Sequence, residues 1–247
     1  MRVLLVEDDP SLQRFVAMAL EDEDVRLQGC TSVDEALLSL ATQAFDLVIS
    51  DLMLPGRHGN ELLATLSERP ELRGQAMLAV FSAGLNGQVR QQLEGLGVSR
   101  FLVKPCSLAD LRACVQDART LRDTASPVAP AEDSARATAS VHQTAVEEFF
   151  GGNAGLYQAF LARCRAQFPQ DIARGRDAAR LGQHQPLRHL AHSLKSVLQT
   201  LGYPDAAALA RELEDLAQQA GERQDVDSTA AIQDRWLRLE AELSRLI

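Results

Sequence analysis

This 247-residue sequence is short of several things, and each shortage excludes something. Its four cysteines, Cys30, Cys106, Cys114 and Cys164, lie far apart with no Cys-x-x-Cys pair. They suit reduced, packed thiols and not a disulfide or zinc framework. No apolar run is long enough to span a bilayer, and no signal-peptide pattern is visible. The expectation is a soluble, cytoplasmic protein with no membrane partner. Basic residues are outnumbered, 25 Lys+Arg against 34 Asp+Glu. The deficit is even: residues 1–122 hold 12 basic against 17 acidic, and the remainder 13 against 17. No basic footprint for nucleic acid stands out.

What is present is ordinary globular material, 46% hydrophobic and 24% charged, with length for two modest domains. The organising stretch is Phe45-Asp46-Leu47-Val48-Ile49-Ser50-Asp51-Leu52-Met53-Leu54-Pro55. It reads as a buried strand that ends abruptly in a carboxylate. Around it, strands are expected at about 2–6, 25–30, 76–81 and 100–103. Helices alternate with them, from Pro10 to about Glu21, Val33 to Gln43, Asn60 to Ser67, Asn86 to about Leu96, and from Ser107 onward. Strands this apolar imply a parallel sheet covered on both faces, a doubly wound α/β fold of order 2-1-3-4-5.

The Ala/Ser/Thr/Pro-rich stretch after residue 122 breaks this pattern, and 123–141 reads as a flexible linker. From Val141 no strand is expected. Helical patterns cover about 142–150, 154–182, 186–201, 205–220 and 226–247. Ala206, Leu209, Ala210, Leu213, Leu216, Ala217 and Ala220 form one apolar stripe; Ile232, Trp236, Leu239, Leu243 and Leu246 form another. Such stripes need partner helices, so residues 142–247 are expected to form an all-α antiparallel bundle.

Four strand ends of the first domain carry polar residues: Glu7-Asp8, Asp51, Ser82 and Lys104. In a doubly wound sheet these ends converge where ligands bind. Three carboxylates drawn together repel one another, and oxygen ligands at this count suit Mg²⁺. Asp51 then reads as a nucleophile toward an incoming phosphoryl donor, with the cation offsetting the charge of both. The Ser82 hydroxyl and Lys104 ammonium are placed to hold phosphoryl oxygens. Taken alone, Glu7-Asp8-Asp9 is equally readable as a helix N-terminus; four such signals on four strand ends favour a site.

On these motifs, Leu4-Leu5-Val6-Glu7-Asp8-Asp9-Pro10, Asp46 to Gly56, Val80-Phe81-Ser82-Ala83 and Phe101-Leu102-Val103-Lys104-Pro105, residues 1–122 resemble the receiver domain of two-component response regulators. The resemblance implies a flavodoxin-like fold and Asp51 as phosphoacceptor. It implies Glu7 and Asp8 as metal acids, with the backbone carbonyl of Met53 completing the Mg²⁺ set. It also implies Ser82 and Phe101 as a hydroxyl and aromatic switch pair. His58 stands where that family often has aspartate.

On a helical wheel for 186–201, His192 lies opposite Leu187, Leu190, Leu194, Val197, Leu198 and Leu201. It is therefore expected at the centre of the solvent face, with Lys195, Ser196 and Gln199 beside it. An exposed imidazole is a competent phosphoryl acceptor. The wheel alone also fits a solvated polar face with an incidental histidine. A zinc pair of His189 and His192 lacks a third ligand. Ala191-His192-Ser193-Leu194-Lys195-Ser196, with Leu201-Gly202 and Leu209-Ala210-Arg211-Glu212-Leu213-Glu214, resembles the histidine phosphotransfer (HPt) domain. That resemblance implies His192 as phosphoacceptor and Lys195, Ser196 and Gln199 along its phosphate-handling face. The family usually has glycine where Ser196 stands.

The expectation is a phosphorelay protein and not a kinase, since nucleotide-binding glycine boxes and an ATP lid are missing. A sensor histidine kinase and the receiver of another response regulator are its expected partners, with docking of the two domains of one chain as a further route. The eighteen residues from Asp123 to Ser140, as coil, reach about 23 Å on average and about 55 Å extended. The rival expectation is a phosphorylation-switched binding module whose bundle sequesters a partner without turnover at His192. A flavin site is excluded because Glu7-Asp8-Asp9 would repel its phosphate. A haloacid-type phosphatase is excluded because Met53 stands where its second aspartate belongs.

Overall fold

The computed structural model describes residues 1–123, 141–223 and 228–247. Its contacts divide into two units, Met1–Ala139 and Ser140–Ile247. The first runs β1 (Arg2–Val6), α1 (Pro10–Ala19), β2 (Arg26–Cys30), α2 (Val33–Thr42), β3 (Leu47–Asp51), α3 (Gly59–Glu68), α4 (Pro70–Arg73), β4 (Met77–Ser82), α5 (Gly87–Gly95), β5 (Val98–Val103) and α6 (Leu108–Asp123). β3 is buried along its whole length, and β1 and β4 are buried at all but one residue. Strands with no solvent face need helices on both sides, and the five strands pair in parallel in the order β2-β1-β3-β4-β5. The expected doubly wound sheet is the observed one.

Its helices start where side chains satisfy free amides. Asp9 accepts from the amides of Ser11 and Leu12, with Pro10 in the first turn of α1. Ser32 caps α2 and Asn86 caps α5 through the same kind of bond. The four-residue helix α4 has no counterpart in the expected elements. Pro70 opens it and Gly74, at φ 58°, closes it. One turn is too short to show a periodicity.

The second unit is helical among its described residues: α7 (Val141–Phe150), α8 (Ala154–Arg180), α9 (His184–Thr200), α10 (Pro204–Arg223) and α11 (Ser228–Leu246). α8 packs on α9, α9 on α10, α10 on α11, and α11 back on α8, closing a four-helix ring. The apolar stripes of α10 and α11 line its core, with Ala210, Leu213, Trp236, Leu239 and Leu243 buried. α9 starts before Pro186, because a proline in the first turn sacrifices no helical hydrogen bond. Gly202, at φ 78°, turns the chain between α9 and α10. The expected linker has its first and last residues, Asp123 and Val141, at the ends of α6 and α7. Its residues 124–140 lie outside the described ones.

Candidate functional site

The sheet places three of the polar signals side by side. β1 and β3 are neighbours in register, Val6 opposite Ser50, so Glu7 and Asp51 leave the sheet together. β5 runs beside β4, and the Lys104 amide bonds to the Ser82 carbonyl at 2.8 Å. The Lys104 ammonium reaches back across the sheet end. Its Nζ donates to Glu7 Oε2 at 2.5 Å and to Asp51 Oδ2 at 2.7 Å. All three residues are buried. Asp51 Oδ1 accepts from the Met53 amide at 3.0 Å, so the loop after β3 fixes the rotation of that carboxylate.

Asp9, third in the acidic run, is committed to capping α1, which leaves Glu7 and Asp8 for the site. Carboxylate oxygens of Glu7, Asp8 and Asp51 lie within 4.8 Å of one another. Burial is the largest influence on Glu7 and lifts its carboxyl well above the usual range, against the pull of Lys104. Burial, then the charges of Asp51 and Asp9, push Asp8 up to about 6. Burial works to lower the Lys104 ammonium, but Glu7 and Asp51 outweigh it and hold the group charged. Three carboxyl groups crowd around one ammonium, and the raised values of Glu7 and Asp8 show that burial and mutual repulsion disfavour their ionised forms unless a cation offsets the charge. A hard divalent cation with an all-oxygen preference is what such a donor set fits.

Ser82 and Phe101 are both half-buried, at the end of β4 and within β5. The Arg90 guanidinium of α5 stands 4.6 Å above the Phe101 ring. Two supports escaped the sequence reading. Phe81 lies under Lys104, with Nζ 4.7 Å from the ring centroid. Gly59 packs against the Asp51 backbone, where a Cβ would stand 1.8 Å from the Asp51 carbonyl oxygen. Neither an aromatic in a strand nor a glycine at a helix start signals this without the fold. His58 forms the N-cap position of α3.

In the helical unit the structure corrects the wheel. His192 is 6% exposed, so it is not at the centre of a solvent face. Ser196 is fully buried, and so is not on an open phosphate-handling face; Lys195 and Gln199 are half-buried. The wheel weighed α9 alone. α10 packs on the polar side of α9 and brings Glu214, itself buried, to the imidazole. His192 Nδ1 lies 2.7 Å from Glu214 Oε1, and Lys195 Nζ donates to Glu214 Oε2 at 2.6 Å. Burial would lift the Glu214 carboxyl, but His192 and Lys195 outweigh it and draw it down to about 2. The carboxylate therefore stays ionised between two donors. Nε2 of His192 is buried with no hydrogen-bond partner. Ser196 Oγ turns back to the His192 carbonyl at 3.4 Å. Glu214 had a legible signal: it lies on the polar edge of the α10 stripe, one residue beyond Leu213.

Residues 3–116 match the family described as response regulator receiver domain, and residues 158–247 match the family described as Hpt domain. The transcriptional activator protein PfeR of Pseudomonas aeruginosa is 36% identical over 121 residues, 48% of this chain and 36% of that protein. The signal transduction histidine-protein kinase BarA of Shigella flexneri is 29% identical over 105 residues, 42% of this chain and 11% of that protein. The phosphate regulon transcriptional regulatory protein PhoB of Rhizobium meliloti is 32% identical over 117 residues, 47% of this chain and 50% of that protein. The chain thus spans half or less of the length of these relatives. Among solved structures, chemotaxis protein CheY4 of Vibrio cholerae is 23% identical with a TM-score of 0.44, covering 47% of this chain and 97% of that one. The receiver domain of the Francisella response regulator 1452 is 22% identical with a TM-score of 0.44, covering 49% and 96%. No helix among the described residues is long and apolar enough to cross a membrane.

Proposed function

We propose, from the premise that this chain joins a response regulator receiver domain to an Hpt domain, that it relays phosphoryl groups through Asp51 and His192. The observation that carries this reading is the buried cluster at the sheet end. There the Asp51 carboxylate is held by Lys104 on one oxygen and the Met53 amide on the other. A carboxylate oxygen of Asp51 bonds to phosphorus as the bond to the donor breaks and the donor group leaves with the electron pair. Lys104 and Ser82 then hold the phosphoryl oxygens, and Phe101 responds to the movement of Ser82. Glu7, Asp8, Asp51 and the Met53 carbonyl are the residues that would hold Mg²⁺. When bound, that ion offsets the charge of the carboxylates and of the phosphoryl oxygens.

In the Hpt domain, the Glu214 carboxylate accepts a hydrogen bond from the Nδ1–H of His192, which keeps that proton on Nδ1 and leaves the Nε2 lone pair as the nucleophile. Attack of Nε2 on phosphorus breaks the bond to a receiver aspartate and restores that carboxylate. The donor or acceptor is Asp51 of the same chain or the receiver of another response regulator, and a histidine kinase supplies the first group. Gains and losses at Asp51 are the receiver's own chemistry. The expected cellular setting is the cytoplasm.

A second reading has one observation in its favour, the burial of His192. In it, phosphorylation of Asp51 switches the helical unit as a binding module for a signalling partner. The test is incubation with Mg²⁺ and a small-molecule phosphodonor. The relay reading expects base-labile acyl phosphate on Asp51 and acid-labile phosphate on His192 in the wild type, and neither in Asp51→Asn; the binding-module reading expects the acyl phosphate alone. A His192→Ala chain that keeps full signalling in cells would favour the binding module.

A further inference from the structure

The first turns of α1 and the ends of β1 and β2 meet at one side chain outside the acidic cluster. Gln13 Nε2 donates to the Glu7 carbonyl at 2.5 Å and to the Cys30 carbonyl at 3.3 Å. The Cys30 carbonyl also accepts from the Glu7 amide at 3.0 Å. The backbone of Glu7 is thus gripped on both sides, its amide by β2 and its carbonyl by α1. Asp8 follows directly from that carbonyl. Opposite the carboxamide lies Gly29 of β2, where a Cβ would stand 2.8 Å from Gln13 Oε1 and 3.3 Å from its Cδ. Gly29 has no positive φ, so its missing side chain serves space and not backbone freedom.

We infer that Gln13 is a positioning residue for the acidic site, fixing the Glu7-Asp8 backbone so that both carboxylates face a divalent cation, and that Gly29 leaves room for it to do so. The inference rests on the reading of Glu7, Asp8 and Asp51 as the Mg²⁺ set. Gln13 touches neither the cation position nor the phosphoryl group. Its influence runs through two backbone carbonyls, those of Glu7 and Cys30. Outer partners of metal ligands commonly alter affinity by about tenfold or more when removed.

The test uses the full chain and Mg²⁺ alone, titrated by calorimetry, with thermal melting in the absence of the ion to check folding. Gln13→Met keeps the volume and loses the donor; it is expected to weaken Mg²⁺ binding about tenfold. Phosphorylation by a small-molecule donor then needs about tenfold more Mg²⁺ for half-saturation, while the rate at saturating Mg²⁺ is kept. Gly29→Ala meets only the far end of a mobile side chain, so it folds but displaces the carboxamide. It is expected to weaken Mg²⁺ binding in the wild-type background and to change nothing in Gln13→Met. Unchanged affinity in Gln13→Met overturns the inference alone, as does an equal effect of Gly29→Ala in both backgrounds. A wild type that binds Mg²⁺ no better than Asp8→Asn overturns the site reading and the inference together.

Discussion

Nδ1 of His192 and Oε1 of Glu214 lie 2.7 Å apart, between two buried side chains on different helices. The pair gives the helical unit a definite chemical polarity. One imidazole nitrogen is committed to Glu214; the other has no hydrogen-bond partner, and the proposed relay assigns it to phosphorus. Glu214→Gln keeps the shape but no longer orders the tautomer. Phosphoryl gain on His192 from a phosphorylated receiver is expected to fall about tenfold to a hundredfold, the worth of one charge-assisted hydrogen bond. Rapid-quench transfer assays check it; an unchanged rate would separate Glu214 from the chemistry.

The same carboxylate carries an acid-stability signature. Its folded value is drawn from 4.5 down to about 2. A depressed carboxyl stabilises fully above its unfolded value, and the stabilisation is lost as pH falls through the folded one. On the order of 3 kcal/mol should therefore disappear between about pH 4.5 and pH 2 in the wild type and not in Glu214→Gln. Urea unfolding followed through buried Trp236 of the same unit reads this directly.

Ser196 stands where the resembled family usually has glycine, and its hydroxyl is folded back on the His192 carbonyl. Under the proposed relay, a hydroxyl held there does not take part in the transfer. Ser196→Gly is expected to change transfer to or from His192 by less than about twofold, and to cost about 0.5 kcal/mol in helix propensity. A marked rise in transfer rate would show that the hydroxymethyl group obstructs docking.

Gly59 lies against the backbone of Asp51, the proposed phosphoacceptor. A methyl group there meets the Asp51 carbonyl at 1.8 Å, and backbone cannot rotate aside. Gly59→Ala should displace the loop that follows β3 and slow Asp51 phosphorylation about a hundredfold, the penalty for roughly 1 Å of misplacement. Far-ultraviolet circular dichroism should be retained. Normal phosphorylation kinetics would mean the loop yields without moving the carboxylate.

Gly175 of α8 admits the Trp236 ring of α11, with a Cβ position 1.9 Å from its Cη2. Gly175→Ala is expected to destabilise the helical unit by about 1–3 kcal/mol through overpacking. Trp236 fluorescence during urea unfolding measures the loss.

How much of this was legible varied with the range of the interaction. The strand that ends at Asp51 announced itself because an apolar run closing on a carboxylate is a local signal. Parallel order then placed Glu7, Ser82 and Lys104 with it. Helix starts were equally local, set by Asp9, Ser32 and Asn86. The placement of His192 was not local. A wheel describes one helix in isolation, and α10 covers the polar side that the wheel assigns to solvent. Phe81, Gly59 and Gln13 act through contacts between elements distant in sequence, so they became visible only with the fold; Glu214 was legible as the polar edge of its stripe, but its pairing with His192 was not.

The most direct test of the relay is intact-mass analysis after incubation with Mg²⁺ and a small-molecule phosphodonor, comparing wild type, Asp51→Asn and His192→Gln. Acid and base lability assign the site, since acyl phosphate is lost in base and phosphohistidine in acid. The account predicts phosphate on Asp51 and, through it, on His192 in the wild type. It predicts none on either in Asp51→Asn and acyl phosphate alone in His192→Gln. Full loading of His192 in Asp51→Asn would contradict Asp51 as the entry point of the relay.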